Sequence, residues 1–253
     1  NIKMNFNDEK NILELLNIAI DSGKEILNIY NNEIIVNSKE DKSPITQADI
    51  NSNNLIVSRL IKLDPNIPIL SEESLVKWEN RKDWNKYWLI DPLDGTKEFI
   101  NRNGEFTVNI SLIENNYPIF GIIYSPVKSL LYYALKNNGC YKLKTNSNLT
   151  TLKDFKKINI NKENKSTIKI IGSRSHSSKE FQKWVEKRFI NYELITIGSS
   201  LKFCILAEGE ADIYPRLGPT SEWDIGAAQC IVEEAGGSVL EYQTNLRLRY
   251  NKE

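Results

Sequence analysis

The sequence predicts an α/β protein, helices and an antiparallel sheet first and alternating strands and helices after. Three observations carry this. Two stretches near the start repeat apolar residues at helical spacing. From Phe106 to Leu143, short apolar runs are parted by turn residues. From Ile168 onward, strand-like and helix-like segments take turns, the mark of a layered α/β half.

Taken in order, Ile12, Leu15, Leu16, Ala19, Gly23, Ile26, Leu27 and Tyr30 fall on one helical face, and Asn31-Asn32 ends that helix. "KEDKSPIT" (39–46) is polar and turn-rich. A second helix starts after Thr46, runs through Leu55, Ile56, Leu60 and Leu63, and stops at Asp64-Pro65. Strands are expected at Ile67–Leu70 and at Tyr87–Ile90, the latter ending at Asp91. Phe106, Val108, Ile110 and Leu112 alternate with Thr107, Asn109 and Ser111, the period of a half-buried strand. Ile119–Tyr124, Leu130–Leu135 and Cys140–Leu143 complete a meander with turns at "ENNYP" and "KNNG". Residues 144–166 read as a loop or linker. Strands at 168–171, 194–197, 212–214 and 238–241 are then interleaved with helices near 177–189, 200–208 and 223–235. The expected organisation is an N-terminal half, 1–143, and a C-terminal half, 144–253, forming one compact unit.

Bulk properties remove several functions. Lys plus Arg and Asp plus Glu are 33 each, so the chain lacks the excess positive charge on which nucleic-acid and membrane-surface binding mainly rest. No apolar run reaches the length of a membrane span and no secretory pattern opens the chain, so a cytoplasmic place is expected, with peripheral association to an inner membrane left open. Cys140, Cys204 and Cys230 are scattered, which argues against a disulfide framework or zinc site and for buried small hydrophobes. With His176 as its one histidine, the chain must rely mainly on carboxylates, hydroxyls and lysines for any chemistry.

"WLIDPLDGTKEF" (88–99) runs from a hydrophobic strand straight into Asp91, Pro92, Asp94, Gly95 and Thr96. Pro92 fixes φ and Gly95 permits backbone geometry that other residues resist. Asp91, the Leu93 carbonyl and Asp94 are thereby held in one turn, an oxygen set that suits Mg²⁺. The plainer reading is an Asp-Pro turn followed by a capping Thr96. "LSEES" puts Glu72 and Glu73 after another apolar strand, where a solvated loop is the alternative. "EWDIGAA" puts Asp224 at the start of a helix, where the macrodipole alone favours an acid. Asp49, three residues after Thr46, also fits a capping box. Acidic motifs repeatedly set at strand ends and helix starts are better explained together, as one metal site.

"LSEES", "DPLDGTKEF" and "WDIGAA" resemble the three metal-binding motifs of the inositol-monophosphatase superfamily of Mg²⁺-dependent, lithium-sensitive phosphatases. Within it, "SPITQADI", "YWLIDPLDGTKEFINRNGEFTVNISLI", "GIIYSPV", "SRSHSS" and "GSSLKFC" are similar to the CysQ-type 3'(2'),5'-bisphosphate nucleotidases, in the expected order from about Asn11 to about Leu240. "DGTKEF" departs from the "DGTTNF" more usual in inositol phosphatases.

The resemblance implies a five-layered αβαβα sandwich of the inositol-monophosphatase/sugar-phosphatase type. It implies two or three Mg²⁺ per site, bound by Glu72, Asp91, the Leu93 carbonyl, Asp94 and Asp224, with Glu72 also counted among the catalytic groups. Asp49 and Thr96 would take a proton from the attacking water, and the Gly95 and Thr96 N–H groups would cradle the phosphate. Ser173, His176, Ser199 and Lys202 would line the nucleotide pocket, Asp224 would also touch substrate, and Arg216 is a further phosphate contact or a structural loop arginine. The implied activity removes the 3'-phosphate of adenosine 3',5'-bisphosphate, giving AMP and phosphate, with 3'-phosphoadenylyl sulfate as a second substrate. An inositol- or sugar-phosphate phosphatase and a non-catalytic phospho-ligand sensor are the rivals. The only partner expected is this small molecule, for a monomer or homodimer. Family members generally continue through a last strand beyond "LRLRYNKE", so a truncated sequence or a disordered tail is expected, and "NIKMN" would include residues ahead of an initiator at Met4.

Overall fold

A computed structural model of the chain describes residues 5–6, 8–32, 34–39, 44–160, 166–172 and 179–253. Helix α1 (Glu9–Tyr30) is capped by Asp8, which accepts from Lys10 N–H at 3.0 Å, and closes at Asn31. A small antiparallel hairpin, β1 (Val36–Ser38) and β2 (Pro44–Thr46), leads into α2 (Gln47–Leu63). Helix α2 ends at Asp64 because the residue before a proline is pushed out of helical backbone geometry.

A seven-stranded sheet follows: β3 (Ile69–Ser71), β4 (Lys86–Asp94), β5 (Thr107–Glu114), β6 (Tyr117–Ser125), β7 (Leu130–Leu135), β8 (Gly139–Lys144) and β9 (Lys156–Ile158), neighbours in chain order. The β3–β4 pair is parallel and the other pairs are antiparallel. A short helix, α3 (Trp78–Arg81), lies in the β3–β4 crossover, and α4 (Thr96–Ile100) follows β4. The β5–β6 turn rests on Asn115 and Asn116, at φ 51° and 67°, the left-handed geometry that Asn tolerates and tight hairpins require.

Alternation along β4 divides the core. Trp88 and Ile90 join the cluster made with Leu15, Leu16 and Ile56 of α1 and α2. Tyr87 and Leu89 join Ile113 and Tyr250. On the second face lies α7 (Glu222–Glu234), whose Ala227, Cys230 and Ile231 meet Ile123, Ala134 and Cys140. Small residues let this helix approach closely. A Cβ on Gly121 would stand 2.5 Å from the Ala227 carbonyl oxygen, and one on Gly226 would stand 2.6 Å from Ser111 Oγ. The three cysteines are buried and free, as expected.

In the second half, β10 (Ile168–Gly172) and β11 (Tyr192–Thr196) pair in parallel, and α5 (Lys179–Glu186) covers them through Phe181 and Val185. Helix α6 (Leu201–Ala207) packs on α7. The order α1/α2, large sheet, α6/α7, small sheet, α5 is the five-layered αβαβα arrangement.

Several local expectations change. β4 does not end at Asp91 but runs to Asp94 across a register shift, because Pro92 has no N–H for the ladder and the chain bulges around it. The stretch 144–166 is not all loop: β9 completes the large sheet, and its three residues are too short to show a period. The segments 212–214 and 238–241 reduce to the bridges Ile170–Ile213 and Leu240–Arg247. Strand β5 is buried on both faces, so the alternation of Thr107, Asn109 and Ser111 does not mark a solvated side.

Gly121→Val should lower the urea midpoint by the equivalent of roughly 2 kcal/mol or more, since overpacking against backbone cannot be relieved by a rotamer change. Gly218→Ala, with open space around the added carbon, should leave it unchanged. Equal midpoints for the two variants would show that α7 does not rest on the sheet at Gly121.

Candidate active site

The acids converge from three elements. Glu72 follows β3 and is tied to the neighbouring strand by its N–H, which donates to the Ile90 carbonyl at 3.1 Å. Asp91 is buried at the bulge of β4 and accepts from Leu93 N–H at 3.1 Å. Asp224 is the third residue of α7. Carboxylate oxygens of Glu72, Asp91 and Asp224 lie within 4.8 Å of one another. Asp94 adjoins them: its Oδ2 accepts from Ser200 N–H at 2.5 Å and from Asn109 Nδ2 at 3.5 Å.

Electrostatics at this cluster point in one direction. Burial, then the charges of Glu72, Asp94 and Asp224, push the Asp91 carboxyl well above the usual range. Burial and Asp224 push Asp94 up to about 7, opposed by Lys202 and the Ser200 N–H. Like charges brought together out of water favour either a proton or a cation between them. An all-oxygen donor set of this kind fits a hard divalent ion. Lys39 supplies a positive charge beside it, its Nζ 2.8 Å from Glu72 Oε1 and 2.6 Å from Glu73 Oε1. Burial alone would lower the Lys39 pKa; the two glutamates raise it instead.

Asp49 and Thr96 meet beside the acids. The capping box is real: Thr46 N–H and Oγ1 donate to Asp49 Oδ2 at 2.7 and 2.6 Å. The same carboxylate uses its other oxygen to accept from Thr96 Oγ1 at 3.0 Å. The cap on Thr46 and the bond from Thr96 thus coexist on one carboxylate, one on each oxygen. Burial raises its pKa, and the bonds from Thr46 and Thr96 oppose that rise. Thr96 Oγ1 also lies 3.4 Å from the Leu93 carbonyl. Gly95, at φ 93°, makes the turn from β4 into α4, which a residue with a side chain would resist. Asp224 doubles in the same way, accepting from Ser221 N–H at 3.0 Å and Thr220 Oγ1 at 2.9 Å as an N-terminal cap of α7.

A cavity of about 1260 Å³ opens from the acids toward the second half, lined by Asp94, Ser199, Lys202, Tyr214, Arg216 and Asp224 among others. Ser199 takes a left-handed φ of 50°. Lys202 is buried, which lowers its pKa; its Nζ donates to Ser199 O at 3.2 Å and lies 5.8 Å from the centre of the Tyr214 ring. Arg216 donates to the Pro219 carbonyl at 2.7 Å, the loop contact of its structural reading, while also lining the cavity. Ser173 and His176 lie outside the described residues.

Sequence reasoning missed Lys39, Asn109 and Ser200. Ser200 Oγ lies 2.7 Å from Thr107 Oγ1 and donates to Asn109 Oδ1 at 2.8 Å, so this buried trio ties the 198–202 segment to β5. The available signal was the polar alternation of β5, which reads equally well as a wet face.

A metal-free stability measurement checks the electrostatics. With Asp94 at about 7 in the fold and 3.8 when unfolded, the folded state holds a proton that the unfolded chain has released. This contribution to stability is present below pH 3.8 and is lost as pH rises through 7. In EDTA, the urea midpoint should fall between pH 5 and pH 8, Asp94→Asn should flatten that fall, and an excess of a hard divalent cation should restore the wild type at pH 8. The same slope in Asp94→Asn and wild type would remove Asp94 as its source.

Comparison with known proteins bears on the family and the fold. Residues 8–252 match the inositol monophosphatase family. The 3'(2'),5'-bisphosphate nucleotidase CysQ of Buchnera aphidicola subsp. Acyrthosiphon pisum is 42% identical over 245 residues, covering 94% of this chain and 89% of that protein. The crystal structure of CysQ from Bacteroides thetaiotaomicron superposes with a TM-score of 0.84 at 38% identity, covering 98% of this chain and 94% of that one. The inositol monophosphatase of Anabaena shares the fold at 21% identity, with a TM-score of 0.71 over 96% of this chain and 88% of that one. With the match running over nearly its whole length, the chain belongs to the inositol monophosphatase family.

Proposed function

We propose that the chain is a Mg²⁺-dependent 3'(2'),5'-bisphosphate nucleotidase that converts adenosine 3',5'-bisphosphate to AMP and phosphate. The observation that carries the hydrolytic reading is the Thr96 hydroxyl, bonded to buried Asp49 at 3.0 Å beside the Glu72–Asp91–Asp224 cluster. The substrate class is supported by CysQ relatives such as that of Salmonella typhimurium, 41% identical over 91% of this chain and 90% of its own length. In this reading 3'-phosphoadenylyl sulfate is a second substrate, the protein acts in the cytoplasm as a monomer or homodimer, and halves 1–143 and 144–253 work as one catalytic unit.

Glu72, Asp91, the Leu93 carbonyl, Asp94 and Asp224 would hold two or three Mg²⁺ ions. When bound, these would neutralise the phosphate, lower the pKa of a water and steady the leaving oxygen. The chain's own residues then do the following. Thr96 Oγ1 gives its proton to Asp49, which leaves its lone pairs free to accept from the attacking water. As the water's proton passes to Thr96 Oγ1, the Thr96 proton passes to Asp49, which burial makes more basic and which ends neutral. The Gly95 and Thr96 N–H groups donate to the phosphate oxygens. Lys202 and Ser199, with Arg216, Ser173 and His176, would receive the 5'-phosphate and nucleoside.

Phosphate release from a substrate panel tests the reading. Adenosine 3',5'-bisphosphate should be turned over faster than inositol 1-phosphate; equal or better turnover of the latter would replace it with an inositol phosphatase. Binding without release would leave a sensor. Thr96→Val should lower kcat about a hundredfold or more while retaining Mg²⁺ binding, because it removes the proton path and not a ligand. Near-normal kcat would exclude Thr96 from water activation. Lys202→Ala should raise KM for the bisphosphate more than for adenosine 3'-monophosphate. An equal rise for both would show that Lys202 does not read the 5'-phosphate.

A further inference from the structure

The buried face of α2 carries polar residues where packing against an apolar core would favour an apolar stripe. Asp49, Ser52 and Asn53 stand at i, i+3 and i+4, so they share one face. They are 1%, 0% and 6% exposed, and burying such groups is costly unless each is hydrogen-bonded. Each is bonded, and each to a different part of the site.

Ser52 Oγ donates to the Pro92 carbonyl at 2.6 Å. That carbonyl belongs to the peptide between Pro92 and Leu93, inside the bulge of β4, where the register shift takes it off the ladder. Ser52 has one hydroxyl proton and spends it there. Its 2.5 Å contact with Ser22 Oγ of α1 must therefore run from Ser22 as donor to Ser52 as acceptor. A buried two-hydroxyl relay thus reaches from α1 through α2 to the turn bearing Asp91, Leu93 and Asp94. Asn53 works on the other side. Its Oδ1 accepts from Ser71 Oγ at 2.7 Å and its Nδ2 donates to Ser74 Oγ at 3.2 Å, which brackets Glu72. Ser71 Oγ in turn accepts from Glu73 N–H at 3.3 Å.

We infer that Ser52 and Asn53 are positioning residues of the cation site, α2 acting as a ruler that fixes the Asp91–Asp94 bulge and the Glu72 loop relative to Asp49. The inference rests on the metal-binding reading proposed above. Neither residue is among the proposed ligands: Ser52 is bonded to Ser22 and the Pro92 carbonyl, and Asn53 to Ser71 and Ser74. Each holds the backbone from which ligands project, and ligand-orienting groups of this kind typically change metal affinity about 10–100-fold when removed.

Mn²⁺ binding to the full chain without substrate, followed by the EPR signal of the free ion, tests this apart from activity. Ser52→Ala and Asn53→Ala should each weaken Mn²⁺ binding about tenfold or more. In turnover assays they should raise the Mg²⁺ concentration for half-maximal rate while leaving KM for nucleotide at saturating Mg²⁺ near the wild-type value. Ile56→Val, on the same buried helix face but in the apolar core, should change stability without changing Mn²⁺ affinity. Asp94→Asn reports on the metal site itself. If Asp94→Asn loses Mn²⁺ affinity and Ser52→Ala and Asn53→Ala keep it, the ruler is wrong and the metal site stands. If Asp94→Asn also binds as the wild type does, the metal reading falls and the inference with it. If Ile56→Val weakens binding as much as the polar variants do, their role is general stability and the inference is overturned. Should Ser52→Ala not fold, Asn53→Ala decides by the same criterion.

Discussion

Crowding Glu72, Asp91 and Asp224 within 4.8 Å sets the terms for the rest of the molecule. Two like charges about 4 Å apart repel by about 4 kcal/mol at an effective dielectric near 20, before screening from the open side of the cavity. A typical domain's whole net stability is roughly 5–15 kcal/mol, so one such pair is a large fraction of it. The carboxylates can be kept together only if each hangs from an element that cannot retreat. Glu72 follows an edge strand in parallel register with β4, Asp91 sits in a strand buried between two cores, and Asp224 opens a helix lying close on the sheet.

Seen this way, the close contact between α7 and the sheet concerns the site as much as packing. Gly121 and Gly226 leave no room for a side chain between helix and strands, so the helix start carrying Asp224 is held near β4. The second half is fastened to the same place. Ser200 N–H donates to Asp94, and Ser200 Oγ lies between Thr107 and Asn109. One carboxylate thereby belongs to the acidic group and to the wall of the cavity that Lys202 and Tyr214 line.

Much of this was legible in the sequence because local chemistry and tertiary position agree. The spacing of Leu15, Leu16 and Ala19 and the Asp64-Pro65 stop describe α1 and α2 well because their apolar faces are where the core lies. The motifs around Glu72, Asp91 and Asp224 were readable because each combines an apolar element with an acid at its end. Other parts were hidden for physical reasons. A strand as short as β9 has no period to detect. Polar alternation in β5 looks the same whether the polar side faces water or a buried network. Lys39 is remote in sequence from Glu72, and only the folded hairpin brings them together. The capping boxes posed a different problem: Thr46-x-x-Asp49 and Ser221-x-x-Asp224 invite a choice between cap and site, and in the fold both acids cap a helix while Asp49 also accepts from Thr96 and Asp224 also joins the acidic cluster.

That double use has a consequence for how the protein tolerates change. The N-terminal cap asks Asp49 and Asp224 for one oxygen that accepts an N–H and a threonine hydroxyl, and an asparagine offers one. Holding a cation and accepting a proton, the roles proposed for these two groups, would ask for a full negative charge, which asparagine lacks. In that reading the demands of folding and of reaction separate within one side chain. A chain with asparagine at either position would then pass through the cell's quality control unnoticed, as a well-folded protein that does nothing.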